Sequence, residues 1–267
     1  MLLEISNLGK VYGMGRNAVE AIGRIDLSIR EHEFVSVVGP SGCGKTTLMK
    51  CISGLLESTT GEVRLRGKRI SGTPEGMALV FQEYGRSLFP WVTARENILL
   101  PLKHQRLDKR VMNERVEEAV DAVGLAEAID RYPWQLSGGM QQRIAIARAL
   151  AYKPEILLMD EPFASVDAQT RADLEDLLLL VRRRYSITLL LVTHDIDESI
   201  YIGDRVVILS GAPTHVKEEC VIDLPGLRDQ VKTKELQEFA RLRAHVFTQI
   251  RHDRASDTKK QAVRSTC

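Results

Sequence analysis

The alternation of apolar and polar residues predicts antiparallel strands at the start of the chain. LLEISNL and AIGRIDLSIR alternate with a period of two, and a turn is expected over residues 13–17. Residues 34–39, FVSVVG, form an apolar, β-branched run that ends in glycine, which is typical of a buried strand. The following residues have helical spacing, with Leu48, Ile52 and Leu55 on one face. This part of the chain therefore predicts an antiparallel pair followed by a strand–helix unit.

Strands and helices continue to alternate further along the chain. GEVRLRGKRI predicts a hairpin, and MALVFQ, EILLMD, ITLLLVTH and RVVILS predict buried strands. ADLEDLLLLV is an amphipathic helix with Leu174, Leu177, Leu178 and Val181 on one stripe. The pattern predicts an α/β fold with a mainly parallel core sheet and an N-terminal antiparallel β subdomain.

A helical region interrupts this alternation from Trp91 onward. Charged residues dominate there, and Val111, Val116, Val120 and Val123 recur at three- and four-residue spacing. We expect a helical subdomain over about residues 91–152, after which the strand–helix pattern resumes.

Composition narrows the class of protein. Lys and Arg number 37 against 36 Asp and Glu, and aromatic residues make up only 5%, so neither a basic surface nor a base-stacking platform for nucleic acid is predicted. The four cysteines are scattered without metal-ligand spacing, which favours a reducing compartment. No signal peptide is expected, and the longest apolar runs are far shorter than the ~20 residues that span a bilayer. If the protein acts at a membrane, another chain must cross it.

A glycine-rich phosphate loop follows the strand at residues 34–39. GPSGCGKTT matches G-x-x-x-x-G-K-[ST] with a strand before it and a helix after it. Glycines let successive backbone N–H groups converge on phosphate oxygens, Lys45 adds a point charge, and Thr46 offers a hydroxyl to Mg²⁺. The alternative, a glycine turn with an incidental lysine, does not explain the full match. The expected phosphate-binding residues are Gly39, Pro40, Ser41, Gly42, Cys43, Gly44, Lys45, Thr46 and Thr47.

EILLMDEP supplies the acidic half of a nucleotide site. An apolar strand that ends in an acid suits Mg²⁺, which keeps waters and takes few carboxylates, so Asp160 is the predicted metal ligand. Glu161 follows directly and is the candidate to polarise an attacking water. A strand capped by surface acids is the alternative in isolation, but the phosphate loop in the same chain favours the nucleotide site.

The segment 136–143, LSGGMQQR, resembles the signature of ABC-transporter ATPase subunits, and other pieces stand in that family's order. Tyr12 resembles the adenine-stacking aromatic, Gln82 the Q-loop glutamine, Asp167 the D-loop aspartate and His194 the switch histidine. The resemblance implies a P-loop NTPase with a helical signature subdomain. It also implies that ATP and Mg²⁺ bind, that Gln82 and His194 act with Glu161 in catalysis, and that Gln82 joins Thr46 and Asp160 at the metal.

The resemblance also implies a composite site. Ser137, Gly138 and Gly139 open a helix and would contact the γ-phosphate held by a second cassette, so two ATP molecules lie between two chains in a homodimer. The expected domains are a cassette over 1–226, a helical extension over 227–250 and a disordered tail over 251–267.

Within the family, VFQEYGRSLFPWVTARENI and LPGLRDQVKTKELQEFARLR most resemble subunits of nitrate, sulfonate and taurine importers. This implies an ATPase, peripheral on the cytoplasmic face of the cell (inner) membrane, that serves transmembrane permease subunits and, indirectly, a solute-binding protein. A soluble ABC ATPase of repair, translation or iron–sulfur assembly is the alternative, whereas a P-loop kinase would not explain the signature. LFPW, ending at Trp91, suits a groove for a permease helix, with ordinary packing as the alternative. His32 replaces the glycine common in the family's turn, and histidine tolerates a left-handed backbone.

Overall fold

The computed structural model describes residues 1–82 and 84–264, without the side chains of Arg16, Tyr84, Arg86 and residues 252–264. Its strands are β1 (Leu3–Tyr12), β2 (Val19–Ile29), β3 (Phe34–Val38), β4 (Thr60–Leu65), β5 (Lys68–Arg69), β6 (Met77–Val80), β7 (Ile156–Asp160), β8 (Thr188–Val192), β9 (Arg205–Leu209) and β10 (Thr214–Val221). Its helices are α1 (Lys45–Ile52), α2 (Tyr84–Ser87), α3 (Ala94–Leu99), α4 (Lys109–Ala122), α5 (Gly138–Ala151), α6 (Ala168–Tyr185), α7 (Ile196–Ile202) and α8 (Gln237–Arg264).

The chain divides into two compact units. The first unit comprises Met1–Pro74 with Thr188–Cys267, and the second comprises Glu75–Ile187. The helical segment expected over about 91–152 lies inside the second unit, which also takes in strands β6 and β7 and helix α6.

The first unit is built on a mixed sheet in the order β5-β4-β1-β2-β10-β9-β3-β8. β1 and β2 pair antiparallel as predicted, with Leu3 opposite Ile29. β3 lies between β8 and β9, parallel to both, and all five of its residues are buried. Because a strand covered on both faces has to be apolar throughout, the run FVSVV fits this central position.

Strand β10 is a structural element that the sequence analysis missed. It pairs parallel with β2 and antiparallel with β9. Its sequence, THVKEECV, is rich in charged residues, and only Thr214 at its start is buried. The strand is therefore formed by pairing with its neighbours rather than by an apolar pattern of its own.

The second unit combines two parallel strands with helices. β6 pairs with β7, Met77 lying opposite Ile156, and the whole of β7 is buried. Helices α3, α4 and α5 pack on one another, with Val116, Ala119 and Val120 of α4 buried. This confirms the predicted helical character of the segment.

Helix α8 ends the described chain and packs against α7. Phe239, Leu242 and Val246 form its buried stripe. The helix runs through Arg264 and so includes most of the segment expected as a disordered tail, while residues 265–267 lie outside the described residues. The continuation has a simple reason, because a helix already anchored by packing extends cheaply through Arg, Ala, Lys and Gln. Across the described residues, no helix is both long enough and apolar enough to cross a membrane.

Candidate functional site

The phosphate loop connects β3 to α1 in the first unit, and its backbone requires glycine. Gly42 has φ 76° and Gly44 has φ 105°, both in the region that L side chains rarely adopt. A Cβ on Gly44 would also lie 3.2 Å from the carbonyl oxygen of Ala21, a tight contact that the neighbouring backbone would have to relax. Gly44 is the N-cap of α1, and the loop therefore leads directly into the positive end of a helix.

Lys45, the first residue of α1, is only 6% exposed. Its Nζ donates to the carbonyl oxygens of Gly39 and Pro40, both at 3.0 Å. Because an ammonium group has three donors, these two bonds orient the charge over the loop and leave a third direction for an anion. Cys43 is buried, so its side chain packs beneath the loop, while Ser41, Gly42 and Thr46 are exposed.

Tyr12 lies beside the phosphate loop at the end of β1. Its ring is exposed, and its hydroxyl is 3.3 Å from Oγ1 of Thr47, with either atom as donor. Nζ of Lys10 lies 5.4 Å from the ring centroid. The structure thus brings the predicted adenine-stacking ring to the helix that begins at the phosphate loop, as a nucleotide site needs.

His194 is exposed between β8 and α7, in a segment tied together by hydrogen bonds on both sides of it. The hydroxyl of Thr193 donates to Oε2 of the buried Glu198 at 2.9 Å and accepts from the backbone N–H of Asp195 at 3.0 Å. Asp195 in turn caps α7 by accepting from the N–H of Glu198 at 3.1 Å. Glu198, which the sequence analysis missed, therefore fixes the backbone on both sides of His194.

In the second unit, Asp160 and Glu161 lie at the carboxyl end of β7. Asp160 is buried, whereas Glu161 adopts φ 45°, an uncommon conformation for a residue with a side chain. Backbone strain of this kind costs on the order of 1 kcal/mol and clusters at functional sites. Nε2 of Gln82 donates to Oε2 of Glu161 at 3.0 Å. Two residues that the sequence analysis places in catalysis are therefore in direct contact.

The predicted magnesium ligands have a consistent chemistry. The hydroxyl of Thr46, the carboxylate of Asp160 and the amide oxygen of Gln82 are all hard oxygen donors, the kind that Mg²⁺ prefers. Gln82 directs its amide nitrogen to Glu161, which leaves its amide oxygen on the other side of the group. The donor set therefore fits Mg²⁺.

The signature residues stand at the start of α5, as expected. Ser137 is the N-cap and accepts from the N–H of Met140 at 3.3 Å. Nε2 of Gln141 donates to the carbonyl oxygens of Pro133 and Leu136, at 2.9 and 3.2 Å, and so fixes the loop before the helix. Ser137 and Gly138 are exposed, so this positive helix end faces outward from the unit.

Asp167 is the exposed N-cap of α6. Its carboxylate accepts from the N–H of Thr170 at 3.0 Å and from the hydroxyl of Thr170 at 2.6 Å. The hydroxyl and then the amide of Thr170 hold the pKa of Asp167 below its usual value. Asp167 is thus a fixed anion on the surface of the second unit.

In the second unit, two pairs of exposed aromatic side chains form what we call the aromatic surface: Phe89 with Trp91, and Tyr132 with Trp134. The rings of Phe89 and Trp91 are 5.3 Å apart, and those of Tyr132 and Trp134 stack at 6.0 Å. Trp91 is 71% exposed and Trp134 is 70% exposed. Only the first pair was predicted from the sequence. Each tryptophan directly follows a proline, and this shared Pro-Trp pattern could have indicated the second pair.

Backbone hydrogen bonds connect the two halves of the aromatic surface. The N–H of Ala94 donates to the carbonyl oxygen of Arg131 at 2.8 Å, and the N–H of Arg95 donates to that of Ile129 at 2.8 Å. Each bond joins a residue just after Trp91 to one just before Tyr132. The four rings are therefore carried by two neighbouring backbone segments that are hydrogen-bonded to each other.

Arg148 of α5 holds the segment between Gln82 and the aromatic surface. Its guanidinium donates to the carbonyl oxygen of Ser87 at 2.7 Å and to the hydroxyl of Ser87 at 2.9 Å. Burial lowers the pKa of Arg148. The helix that begins at the signature is thus also hydrogen-bonded, through Arg148, to the last residue of α2.

Comparison with known proteins places this arrangement in a family. Residues 22–164 match the family model described as ABC transporter. The chain is 40% identical to the nitrate import ATP-binding protein of Synechocystis sp. over 234 residues, which cover 88% of this chain and 87% of that protein. It is also 40% identical to the aliphatic sulfonates import ATP-binding protein of Bacillus licheniformis over 246 residues, covering 90% and 94%.

A solved structure gives the same assignment. An ATP-binding cassette described as a dimer in a post-hydrolysis state, bound to ADP and Pi, superposes with a TM-score of 0.72 and 33% identity. The match covers 82% of this chain and 98% of that one. The fold, the motifs in their order and these matches agree: the chain belongs to the ABC transporter family and is one of its ATP-hydrolysing cassettes.

Proposed function

We propose that this ATPase energises a membrane importer for a small anion such as nitrate or an alkyl sulfonate. Two copies of the chain bind two ATP molecules between them, permease subunits cross the membrane, and a solute-binding protein delivers the solute. The chain is peripheral, on the cytoplasmic face of the inner membrane. The import proteins for nitrate and for sulfonates that match most of its length support this proposal.

The observation that carries the proposal is the contact between Gln82 and Glu161. The candidate base, Glu161, is hydrogen-bonded to Gln82, and the chain leads from Gln82 to the aromatic surface within a few residues. A partner that docks on Phe89 and Trp91 would therefore pull on a segment that ends at the catalytic carboxylate. This is the connection that coupling of hydrolysis to transport requires.

Each site residue then has a role. The loop at residues 39–47 binds the phosphates, with Lys45 supplying a positive charge, and Tyr12 stacks on adenine. Thr46, Asp160 and Gln82 hold Mg²⁺, which when bound neutralises phosphate charge. Glu161 accepts the proton of the attacking water, and His194 donates a hydrogen bond to the γ-phosphate.

The remaining roles belong to the dimer. Ser137, Gly138, Gly139 and Asp167 of one chain complete the nucleotide site of the other. Ser137, Gly138 and Asp167 are exposed, and the signature presents a positive helix end. ATP binds the closed dimer better than the open one, so binding and hydrolysis shift the population between the two. In this proposal the cassette comprises residues 1–226, including the helical subdomain at about 91–152, and 227–250 is an extension.

The test of hydrolysis is the variant Glu161→Gln, which keeps the shape of the side chain and removes the base. We expect turnover to fall by roughly a hundredfold or more, as for loss of a general base, with ATP affinity nearly unchanged. The variant should also accumulate as an ATP-bound dimer on size exclusion.

Glu127→Gln is the matched control, because Glu127 is an exposed glutamate of the same unit outside all the motifs. Its turnover should equal that of the unaltered chain. Normal turnover in Glu161→Gln would contradict the assignment of the base and move it to another residue.

A further inference from the structure

The two branches of the Thr170 side chain contact two different residues, and no motif of the sequence predicts either contact. The hydroxyl contacts Asp167, and the methyl group lies against Gly139. Its hydroxyl and its backbone N–H hold the two carboxylate oxygens of Asp167, at 2.6 and 3.0 Å. Each oxygen has its own donor, so the plane of the carboxylate is fixed rather than free to rotate. One side of Thr170 therefore sets the direction of the Asp167 anion.

The other side of Thr170 contacts the signature. A Cβ built on Gly139 would lie 2.5 Å from Cγ2 of Thr170, closer than two non-bonded carbon atoms approach in proteins. Gly139 lies within helix α5 and is not among the residues with positive φ, so the backbone conformation there does not require glycine. Glycine is required there because only a residue without a side chain lets α5 come this close to the methyl group of Thr170.

We propose that Thr170 is a positioning residue that joins the signature and Asp167 into one rigid unit for presentation to the partner cassette. The inference rests on the proposed dimer, in which both groups meet the same partner. A β-branched side chain has few rotamers. One rotamer of Thr170 therefore fixes both its hydroxyl against Asp167 and its methyl group against Gly139. A small misplacement of one group relative to the other is costly for catalysis.

The test uses mixed dimers in which only one site works. A chain with Ser137→Arg keeps its phosphate loop but cannot complete its partner's site, and a chain with Lys45→Ala has the opposite defect. Each variant alone forms inactive dimers. In the mixed dimer one site combines the intact loop of the first chain with the intact signature of the second. Recovery of activity in this mixture is the baseline, and its absence would contradict the proposed dimer site rather than the role of Thr170.

Thr170→Val is then placed on either chain of this mixture. Valine keeps a methyl against Gly139 and removes the hydroxyl that Asp167 accepts. On the Lys45→Ala chain, which donates the signature, it should lower maximal activity by roughly threefold to tenfold, as for loss of one hydrogen bond to a charged group. On the Ser137→Arg chain, which donates the loop, the loss should be less than about twofold.

Thr170→Ser tests the other contact, because serine keeps the hydroxyl and removes the methyl. The same dependence on placement is expected, with a smaller loss. Melting temperatures of each variant show that it is folded. A role in folding alone would lower activity equally on either chain. Equal losses in the two placements, or no loss in either, would overturn the proposal.

Discussion

The two compact units present their functional residues in opposite ways. In the first unit, Lys45 is buried and bonded to its own loop, Tyr12 touches Thr47, and the segment around His194 is held by the buried Glu198. In the second unit, Ser137, Asp167 and both tryptophans are exposed. The first unit thus contains the proposed phosphate loop and adenine-stacking ring, held by contacts within the unit. The second unit contains two of the proposed Mg²⁺ ligands and the proposed base, together with exposed groups that we expect to contact other chains.

The physical cost of the exposed aromatic surface supports this interpretation. A large apolar side chain that stays in water gains nothing for folding, while its burial in a complex is worth about 25 cal/mol per Å² of apolar area. Two tryptophans about 70% exposed on one unit are therefore expected to act as interface anchors, as aromatic residues commonly do.

Because the phosphate loop lies within the first unit, we expect a substitution there to weaken ATP binding even in the isolated chain. Lys45→Ala removes a charge-assisted contact and should weaken ATP binding by roughly tenfold to a hundredfold. Equilibrium titration with a fluorescent nucleotide measures this directly. Lys50→Ala is the control, because Lys50 lies exposed on the same helix, and it should change affinity little. If Lys45→Ala binds ATP normally, the first unit is not the phosphate site.

Substitutions in the aromatic surface should have the opposite effect: they should change assembly with other chains and not ATP binding. Trp91→Ser combined with Trp134→Ser should leave ATP binding by the isolated chain unchanged and weaken assembly with the permease subunits by roughly tenfold or more, as for loss of interface anchors. Co-purification of the complex and transport in reconstituted vesicles are the measurements.

Phe247→Ser serves as its control, because Phe247 is a half-exposed aromatic of the other unit. It should assemble and transport normally. Normal assembly of the double tryptophan variant would place the docking surface elsewhere. A large fall in melting temperature would show that the tryptophans stabilise the fold instead.

Substitutions of Tyr12 in the first unit should change nucleotide affinity least. Tyr12→Phe keeps the ring and loses only the hydroxyl contact to Thr47, so nucleotide affinity should change by less than about threefold. Tyr12→Ala removes the ring and should weaken binding by about threefold to tenfold, the range of an aromatic stack. Equal affinities in the two variants would show that the ring does not contact adenine.

Local backbone requirements could be predicted from the sequence. The buried strand β3, the glycines of the phosphate loop and the helix that begins after Ser137 all follow from patterns within a few residues. His32 stands where the family commonly has glycine, and it adopts φ 62°, the left-handed conformation that histidine was expected to tolerate there. In each case one short segment contains the whole physical reason.

Contacts between distant segments could not be predicted in this way. Strand β10 forms because β2 and β9 offer it partners, and its charged sequence carries no strand signal of its own. The approach of Gly139 to Thr170 and the hold of Arg148 on Ser87 join residues far apart in the chain. A pattern of polar and apolar positions reports which residues are buried, but not which buried residues meet.

A mixture of Ser137→Arg and Lys45→Ala chains tests directly whether two chains share each nucleotide site. If the signature of one chain completes the phosphate loop of the other, each variant alone is inactive. An equal mixture should then recover about a quarter of the unaltered activity, because about half of the dimers are mixed and each has one intact site of two. The measurement is steady-state phosphate release against the fraction of one variant. A maximum at equal amounts is the predicted result, and either full activity of Ser137→Arg alone or no recovery at any ratio would contradict the account.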